Sequence, residues 1–182
     1  FRYRADGTLV AQVTTGRWDV STLYGEDGKG AVYFASPERA GIGMDLYRIG
    51  LDGTGLTRLS RAPGTHRATF NPTYSHYIDV WSDVSTPPQV RVHRADGQEL
   101  RVIDANPVPA LRRYALGKPE FVQVRARDGV MLDAMLIKPP DFNPSRRYPV
   151  TSTPTPAQGR VSCATGGAVR STCSTSCSRS RA

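Results

Sequence analysis

Apolar and polar residues alternate in short runs along the first two thirds of the chain, and an Asp-Gly pair interrupts the runs at regular intervals. Phe1 to Arg4, Ala5-Asp6-Gly7 and Thr8 to Val10 form the first such unit. Leu46 to Ile49 with Asp52-Gly53 and Leu56 to Leu59 form the second, and Val90 to His93 with Asp96-Gly97 and Leu100 to Ile103 the third. A period of two predicts half-buried strands. Asp-Gly between such runs predicts a tight hairpin in which both turn residues adopt φ > 0. The pairs begin at 6, 52 and 96, at intervals of 46 and 44 residues. That is the length of a four-stranded propeller blade.

Two further strands are predicted between successive hairpins. Asp19 to Tyr24 and Ala31 to Ala35 flank the turn Glu26-Asp27-Gly28-Lys29-Gly30, and Arg67 to Phe70 and Tyr77 to Ser82 flank Asn71-Pro72-Thr73-Tyr74-Ser75. The reading is a mainly β chain: the latter half of one blade, then two complete units, about two and a half blades in all. No stretch sustains a 3.6-residue apolar period with caps, so helices should be few. Regular strands with turns also fit an open β-sandwich, but the repeat spacing favours the propeller. An arc of two and a half blades would leave edges open and expose apolar surface that a complete ring covers.

The pattern changes after about Leu111. Glu120 to Arg127, Asp128-Gly129 and Val130 to Ile137 predict one more hairpin, after which Pro139, Pro140 and Pro144 end any strand. Tyr148-Pro149-Val150 predicts the start of another strand.

Composition separates the last segment from the rest. Residues 151–182 contain no Leu, Ile, Met, Phe, Tyr or Trp, and Ser and Thr supply 13 of the 32 positions. Such a segment cannot bury enough apolar surface to offset the entropy of ordering it, so it should be disordered. The net charge of +8 is local as well. No acidic residue follows Asp141 while six arginines do, which leaves residues 1–141 with 18 basic and 16 acidic side chains. The basic character belongs to the tail and not to a binding face, which argues against a nucleic-acid partner. Arg179 and Arg181 have no interleaved aromatics on which bases could stack. Cys163, Cys173 and Cys177 also lie in the tail, odd in number and without a nearby His to complete a zinc site. No apolar run approaches the ~20 residues of a membrane span. The chain begins at Phe1 without an initiator Met and is read as part of something longer.

The series of motifs carries a resemblance. Arg127-Asp128-Gly129-Val130-Met131-Leu132-Asp133-Ala134-Met135-Leu136-Ile137-Lys138-Pro139-Pro140 and Arg147-Tyr148-Pro149-Val150 resemble the start of the hydrolase domain of prolyl oligopeptidase-family serine peptidases. Upstream, Val13 to Val20, Tyr33 to Ser36, Asp45 to Arg48, and Tyr77 to Ser82 with Pro87-Pro88 resemble the propeller of the dipeptidyl peptidase IV branch. The resemblance covers roughly residues 1–150. It implies a partial propeller over 1–112, the first strands of an α/β-hydrolase domain over 113–150, and a Ser/Thr/Arg-rich tail over 151–182.

For an intact parent the resemblance implies release of N-terminal dipeptides, often after Pro or Ala, from a peptide substrate, without a cofactor or metal. It admits a homodimer and leaves periplasmic, secreted and cytoplasmic settings open. In that family a Ser-Asp-His triad does the chemistry, its serine on a Gly-x-Ser-x-Gly elbow. No Gly-x-Ser-x-Gly occurs in this sequence. The family's oxyanion-holding tyrosine would fall near Thr155, where Thr153 to Gln158 contain no aromatic. The abrupt change after Val150 is what a shifted reading frame in a GC-rich gene would produce.

The remaining candidates have plain readings. His66, His76 and His93 stand without a carboxylate-rich partner at ligand spacing and read as surface or satisfied core histidines. Glu26-Asp27 reads as a turn, and Asp79 with Asp83 as solvated strand-end carboxylates, rather than as acid-base pairs. Phe1, Tyr3, Tyr33, Phe34, Tyr47, Tyr77 and Trp81 read as packing between blades. No catalytic, cofactor-binding or metal-binding residue is assigned. Two function classes remain: a fragment of a serine dipeptidyl peptidase, inactive alone, or a non-catalytic propeller module that binds protein partners. The segment Asp128 to Val150 favours the first, because an interaction propeller has no need of a hydrolase strand.

Overall fold

Alternating apolar runs separated by turn residues pair with their chain neighbours, and every sheet here is an antiparallel meander. The computed structural model describes residues 1–38 and 42–151. β1 (Arg2–Tyr3) pairs with β2 (Leu9–Ala11) as a two-stranded sheet. Four strands follow in the order β3 (Thr22–Glu26), β4 (Ala31–Ser36), β5 (Asp45–Gly50) and β6 (Thr57–Arg58). A second four-stranded sheet runs β7 (Thr65–Phe70), β8 (His76–Ser82), β9 (Gln89–Arg94) and β10 (Glu99–Asp104). After a 3-10 turn at Pro109–Arg113, β11 (Pro119–Arg125) and β12 (Met131–Ile137) form a separate hairpin. Half a blade, two full blades and a hairpin are as the repeat predicts.

At four of the five Asp-Gly pairs, those at 6, 52, 96 and 128, hairpin turns form, but by different turn chemistry from that expected. Gly7, Gly53, Gly97 and Gly129 have φ of 84, 82, 85 and 89°, while each preceding Asp stays outside the positive-φ region. Each Gly N–H donates to the carbonyl three residues earlier, on Arg4, Gly50, Arg94 or Ala126, at 2.9–3.0 Å. This is a type I-like turn closed by a left-handed glycine bulge, not a turn with two positive φ values. The Asp contributes its carboxylate instead. Oδ1 of Asp6, Asp52, Asp96 and Asp128 accepts the N–H two residues on, at 2.9–3.1 Å. At Asp6 and Asp52 that backbone N–H, from Thr8 and Thr54, holds the carboxyl below its usual range.

Burial explains why the two blades read differently in sequence. β4 is apolar almost throughout because both faces of its blade are covered. One face packs Phe34, Tyr47 and Ile49 against Val13 and Trp18 from the preceding segment. The other carries Ala31, Tyr33, Ala35, Leu46 and Leu59 onto Ala68 and Tyr77 of the next blade. In β8 burial alternates strictly from His76 to Trp81, since only the face toward the first blade is covered. Ile78 and Val80 on its other face are 43% and 39% exposed.

Two expected strands are altered. β3 starts at Thr22 rather than Asp19, because the chain bends at 16–18 and stacks Trp18 on Phe34 with ring centroids 5.9 Å apart. Tyr148 to Val150 form no strand: no neighbouring strand lies beside them among the described residues, and the Tyr148 hydroxyl accepts the Asn143 N–H at 2.9 Å. The expected disorder of 151–182 and the three cysteines fall outside the described residues, apart from Thr151.

The blades are joined by backbone as well as by side chains. Met44 N–H donates to Gly64 at 3.0 Å, and His66 N–H to Met44 at 2.9 Å. Tyr24, Tyr33, Phe70, Tyr74 and Tyr77 form an aromatic cluster across the joint, with neighbouring centroids 4.8–5.5 Å apart. The Tyr74 hydroxyl donates to the Tyr24 carbonyl at 2.8 Å, passing directly over Gly25. A Cβ at Gly25, whose φ is 131°, would strike that hydroxyl.

Gly25→Ala should therefore lower stability by about 2–4 kcal/mol, combining backbone strain with overpacking. Tyr74→Phe alone should cost about 1 kcal/mol, the usual worth of one hydrogen bond. In the double variant the clash is relieved, so urea unfolding should show a smaller loss than the two singles added. Strict additivity would disprove the contact.

Candidate functional site

The chemistry-bearing side chains gather at the joint between the two four-stranded blades. Residues 77, 79 and 81 alternate onto the inner face of β8, which faces the first blade. Strand pairing then places His66 opposite Trp81 and His93 opposite Tyr77, so both imidazoles are diagonal to Asp79. His66 Nδ1 lies 2.6 Å from Asp79 Oδ2, with His66 3% and Asp79 2% exposed. The other nitrogen, Nε2, lies 2.9 Å from the Ala62 carbonyl oxygen. Both ring nitrogens lie within hydrogen-bonding distance of oxygen acceptors. A carboxylate acceptor accounts for the short bond to Asp79. His93 lies on the opposite flank, its Nε2 4.0 Å from Asp79 Oδ2.

Other polar groups of the two blades find partners as well. Trp81 Nε1 donates to the Pro63 carbonyl at 3.1 Å, and the Arg91 guanidinium lies 4.2 Å from the indole ring centre. Ser60 Oγ donates to Asp45 Oδ1 at 2.6 Å and accepts the Leu46 N–H at 3.1 Å. Burial pushes the Tyr77 phenol up from its ordinary value, and the Asp79 charge adds to the effect. Burial also raises the Tyr47 phenol, aided by its hydrogen bond to Glu38 at 2.7 Å.

The sequence reading of the candidates is upheld in part. His66 and His93 are buried core histidines and His76 is exposed, but His66 does have a carboxylate partner. Asp79 is not a solvated strand end. It sits mid-strand and faces inward, because the alternation that buries Tyr77 and Trp81 also buries position 79. Asp83 does lie in a turn, accepting the Ser85 N–H at 2.7 Å. Asp27 accepts the N–H groups of Lys29 and Ala31 at 2.8 and 3.0 Å, as a turn carboxylate should. Among the aromatics, Tyr33, Phe34, Tyr47, Tyr77 and Trp81 are buried, whereas Phe1 and Tyr3 are 71% and 59% exposed because nothing packs on the first hairpin there. Tyr24 and Tyr74, which bridge the blades, were missed. A tyrosine with φ of 51° inside a Pro-containing turn carries no strand or core signal.

No nucleophile-base arrangement arises from these groups. The far nitrogen of His66 meets a carbonyl, not a serine hydroxyl. Ser75 Oγ lies 3.0 Å from His76 Nδ1, but the two are sequence neighbours on an exposed turn, and no carboxylate orients the ring. Among the described residues no group of three or more His, Cys, Asp or Glu is placed to hold a metal ion. An open groove of about 590 Å³ is lined by Arg2, Glu26, Arg48 and Asp52, and another of about 430 Å³ by Asp27, Lys29, Arg48, Tyr74 and Asp96. Among the described residues no helix is long and apolar enough to cross a membrane.

Antiparallel four-stranded sheets stacked face to face, with the polar chemistry spent on the joint between them, define part of a β-propeller. The family model of the dipeptidyl peptidase IV (DPP IV) N-terminal region matches residues 1–88. Dipeptidyl peptidase 4 of Arthroderma otae is 28% identical over 160 residues, covering 85% of this chain and 21% of its own length. A probable dipeptidyl-aminopeptidase B of Emericella nidulans is 30% identical over 154 residues, 80% of this chain and 17% of its own. The crystal structure of Porphyromonas gingivalis dipeptidyl peptidase 4 superposes with a TM-score of 0.73 at 38% identity, over 81% of this chain and 21% of that one. The chain carries a dipeptidyl peptidase IV-type N-terminal region, and it spans about a fifth of the length of these relatives.

Proposed function

We propose that this chain is a segment of a dipeptidyl peptidase IV-type serine peptidase whose intact form releases N-terminal dipeptides from peptides, and that the segment has no peptidase activity alone. The observation that carries the reading is the extent of the structural likeness. It covers 81% of the chain, more than the residues 1–88 that match the family model, which supports reading β11 and β12 as a continuation of the same parent. In this reading residues 1–112 are partial propeller, 113–150 the first strands of the hydrolase domain, and 151–182 the Ser/Thr/Arg-rich tail, which lies outside the described residues apart from Thr151. The exposed Phe121, Leu132, Met135 and Ile137 on the β11–β12 hairpin, and Ile78 and Val80 on β8, then await the rest of the parent.

Acyl transfer of this kind needs a serine on its elbow, a histidine base, an orienting carboxylate and oxyanion donors. The sequence has no Gly-x-Ser-x-Gly, and its buried His66–Asp79 pair points at a carbonyl. The purified 182-residue chain should release no chromophore from an X-Pro or X-Ala dipeptidyl substrate above background. A parent read through in frame past Val150 should do so and be blocked by a serine-directed phosphonate. Turnover by the short chain, with phosphonate labelling at matching stoichiometry, would overturn the inactivity. An inactive read-through parent would overturn the assignment to peptide hydrolysis.

A further inference from the structure

Between His93 and Asp79 the joint leaves hydrogen-bonding capacity that its own side chains do not meet. His93 Nδ1 is 3.4 Å from the Gly97 carbonyl oxygen and donates to it, which leaves Nε2 with a bare lone pair. That lone pair faces Asp79 Oδ2 at 4.0 Å, acceptor against acceptor. Three buried atoms here have no hydrogen-bond partner: His93 Nε2, Asp79 Oδ1 and the Tyr77 hydroxyl. Their residues are only 8%, 2% and 2% exposed. Two are acceptors and the third carries a proton to donate. Burial with unmet capacity is unfavourable for each such group.

We infer that a single water molecule binds in the blade joint, donating one hydrogen to His93 Nε2 and the other to Asp79, and accepting from the Tyr77 hydroxyl. A separation of 4.0 Å is too long for a direct bond and matches two groups bridged through one water. Three partners is the usual complement for a buried water. The Tyr77 and His93 rings lie parallel, 8° apart with centroids at 5.0 Å, so the two side chains stack on each other beside Asp79. Tyr77 and Asp79 stand two residues apart on the same face of β8. The water lets Asp79 serve both histidines: His66 directly, and His93 at one remove.

The whole 182-residue chain, labelled with ¹⁵N, tests this by NMR. His93 should be the Nδ1–H tautomer, and its ring and that of Tyr77 should show cross-relaxation to a long-lived water. Tyr77→Phe removes the one donor and should shorten the water's residence time about tenfold, the effect of losing one hydrogen bond. An Nε2–H tautomer of His93, absence of slow water at these rings, or an unchanged residence time in Tyr77→Phe would each overturn the inference. Should that variant not fold, a crystal structure of the unaltered chain decides: density within hydrogen-bonding distance of all three atoms supports the site, and its absence refutes it.

Discussion

Replacing Asp79 with alanine should destabilise the paired blades by about 3 kcal/mol, the upper end of the loss when a buried hydrogen bond to a carboxylate is broken and its donor left unsatisfied. The carboxylate is nearly inaccessible and bonded to His66 at 2.6 Å. His66 in turn holds the chain between the blades, through its ring to the Ala62 carbonyl and through its backbone N–H to Met44 of the first blade. Truncation thus leaves a buried imidazole without its acceptor and loosens the connection that sets one blade against the other. Asp79→Asn keeps the shape and one acceptor, and should recover part of the loss. Urea unfolding followed by fluorescence measures both variants, because Trp81 on the same strand face reports on the joint. A loss below about 0.5 kcal/mol for Asp79→Ala, the range typical of surface changes, would show that the pair does not hold the blades.

Gly97→Ala should be far more damaging than the same change at the equivalent glycine of the last hairpin. Both glycines hold positive φ, 85° at Gly97 and 89° at Gly129, so alanine at either incurs roughly 1–2 kcal/mol of backbone strain. Their surroundings differ. A Cβ at Gly97 would be driven into the backbone of Leu59, just past β6 of the preceding blade, whereas at Gly129 the nearest atom is an Arg125 side-chain nitrogen at 3.7 Å. Backbone cannot yield as a flexible side chain can, so about 1–3 kcal/mol of overpacking is added at Gly97 alone. Gly53 repeats the contact one unit earlier, against the carbonyls of Gln12 and Val13 at 3.1 and 3.3 Å. Thermal or urea unfolding should rank the alanine variants Gly97, then Gly53, then Gly129. Equal losses at Gly97 and Gly129 would mean that only the turn, and not blade contact, demands glycine.

The fold was largely legible because its signals are local. Strand alternation, the Asp-Gly turns and the Gly-rich turn at 26–30 each show within a short window and recovered the hairpins, and the 46- and 44-residue intervals between Asp-Gly pairs supplied the blade count. The turn type was not legible. Asp-Gly suits several hairpin turns, and the choice of a glycine bulge shows only in the backbone angles. The polar joint was hidden for a different reason. Asp79 and Asp83 look alike in sequence, four residues apart near a strand end, and only burial separates them. His66 and Asp79 are 13 residues apart and become partners through strand pairing, which no spacing rule for metal ligands or triads describes.

The sequence by itself determined most of the strands, the four turn sites and the absence of a serine elbow, because each follows from residue types within a short window, and it showed the repeat through the recurrence of those windows. Only the tertiary structure decided which faces were covered. It covered β4 on both faces and β8 on one, turned Asp79 from a surface carboxylate into the centre of the joint, and gave Gly97 a neighbour that Gly129 lacks. The physical reason is that burial and pairing depend on what the chain brings from far away, and a strand's own residues record only that some face will be buried, not against what.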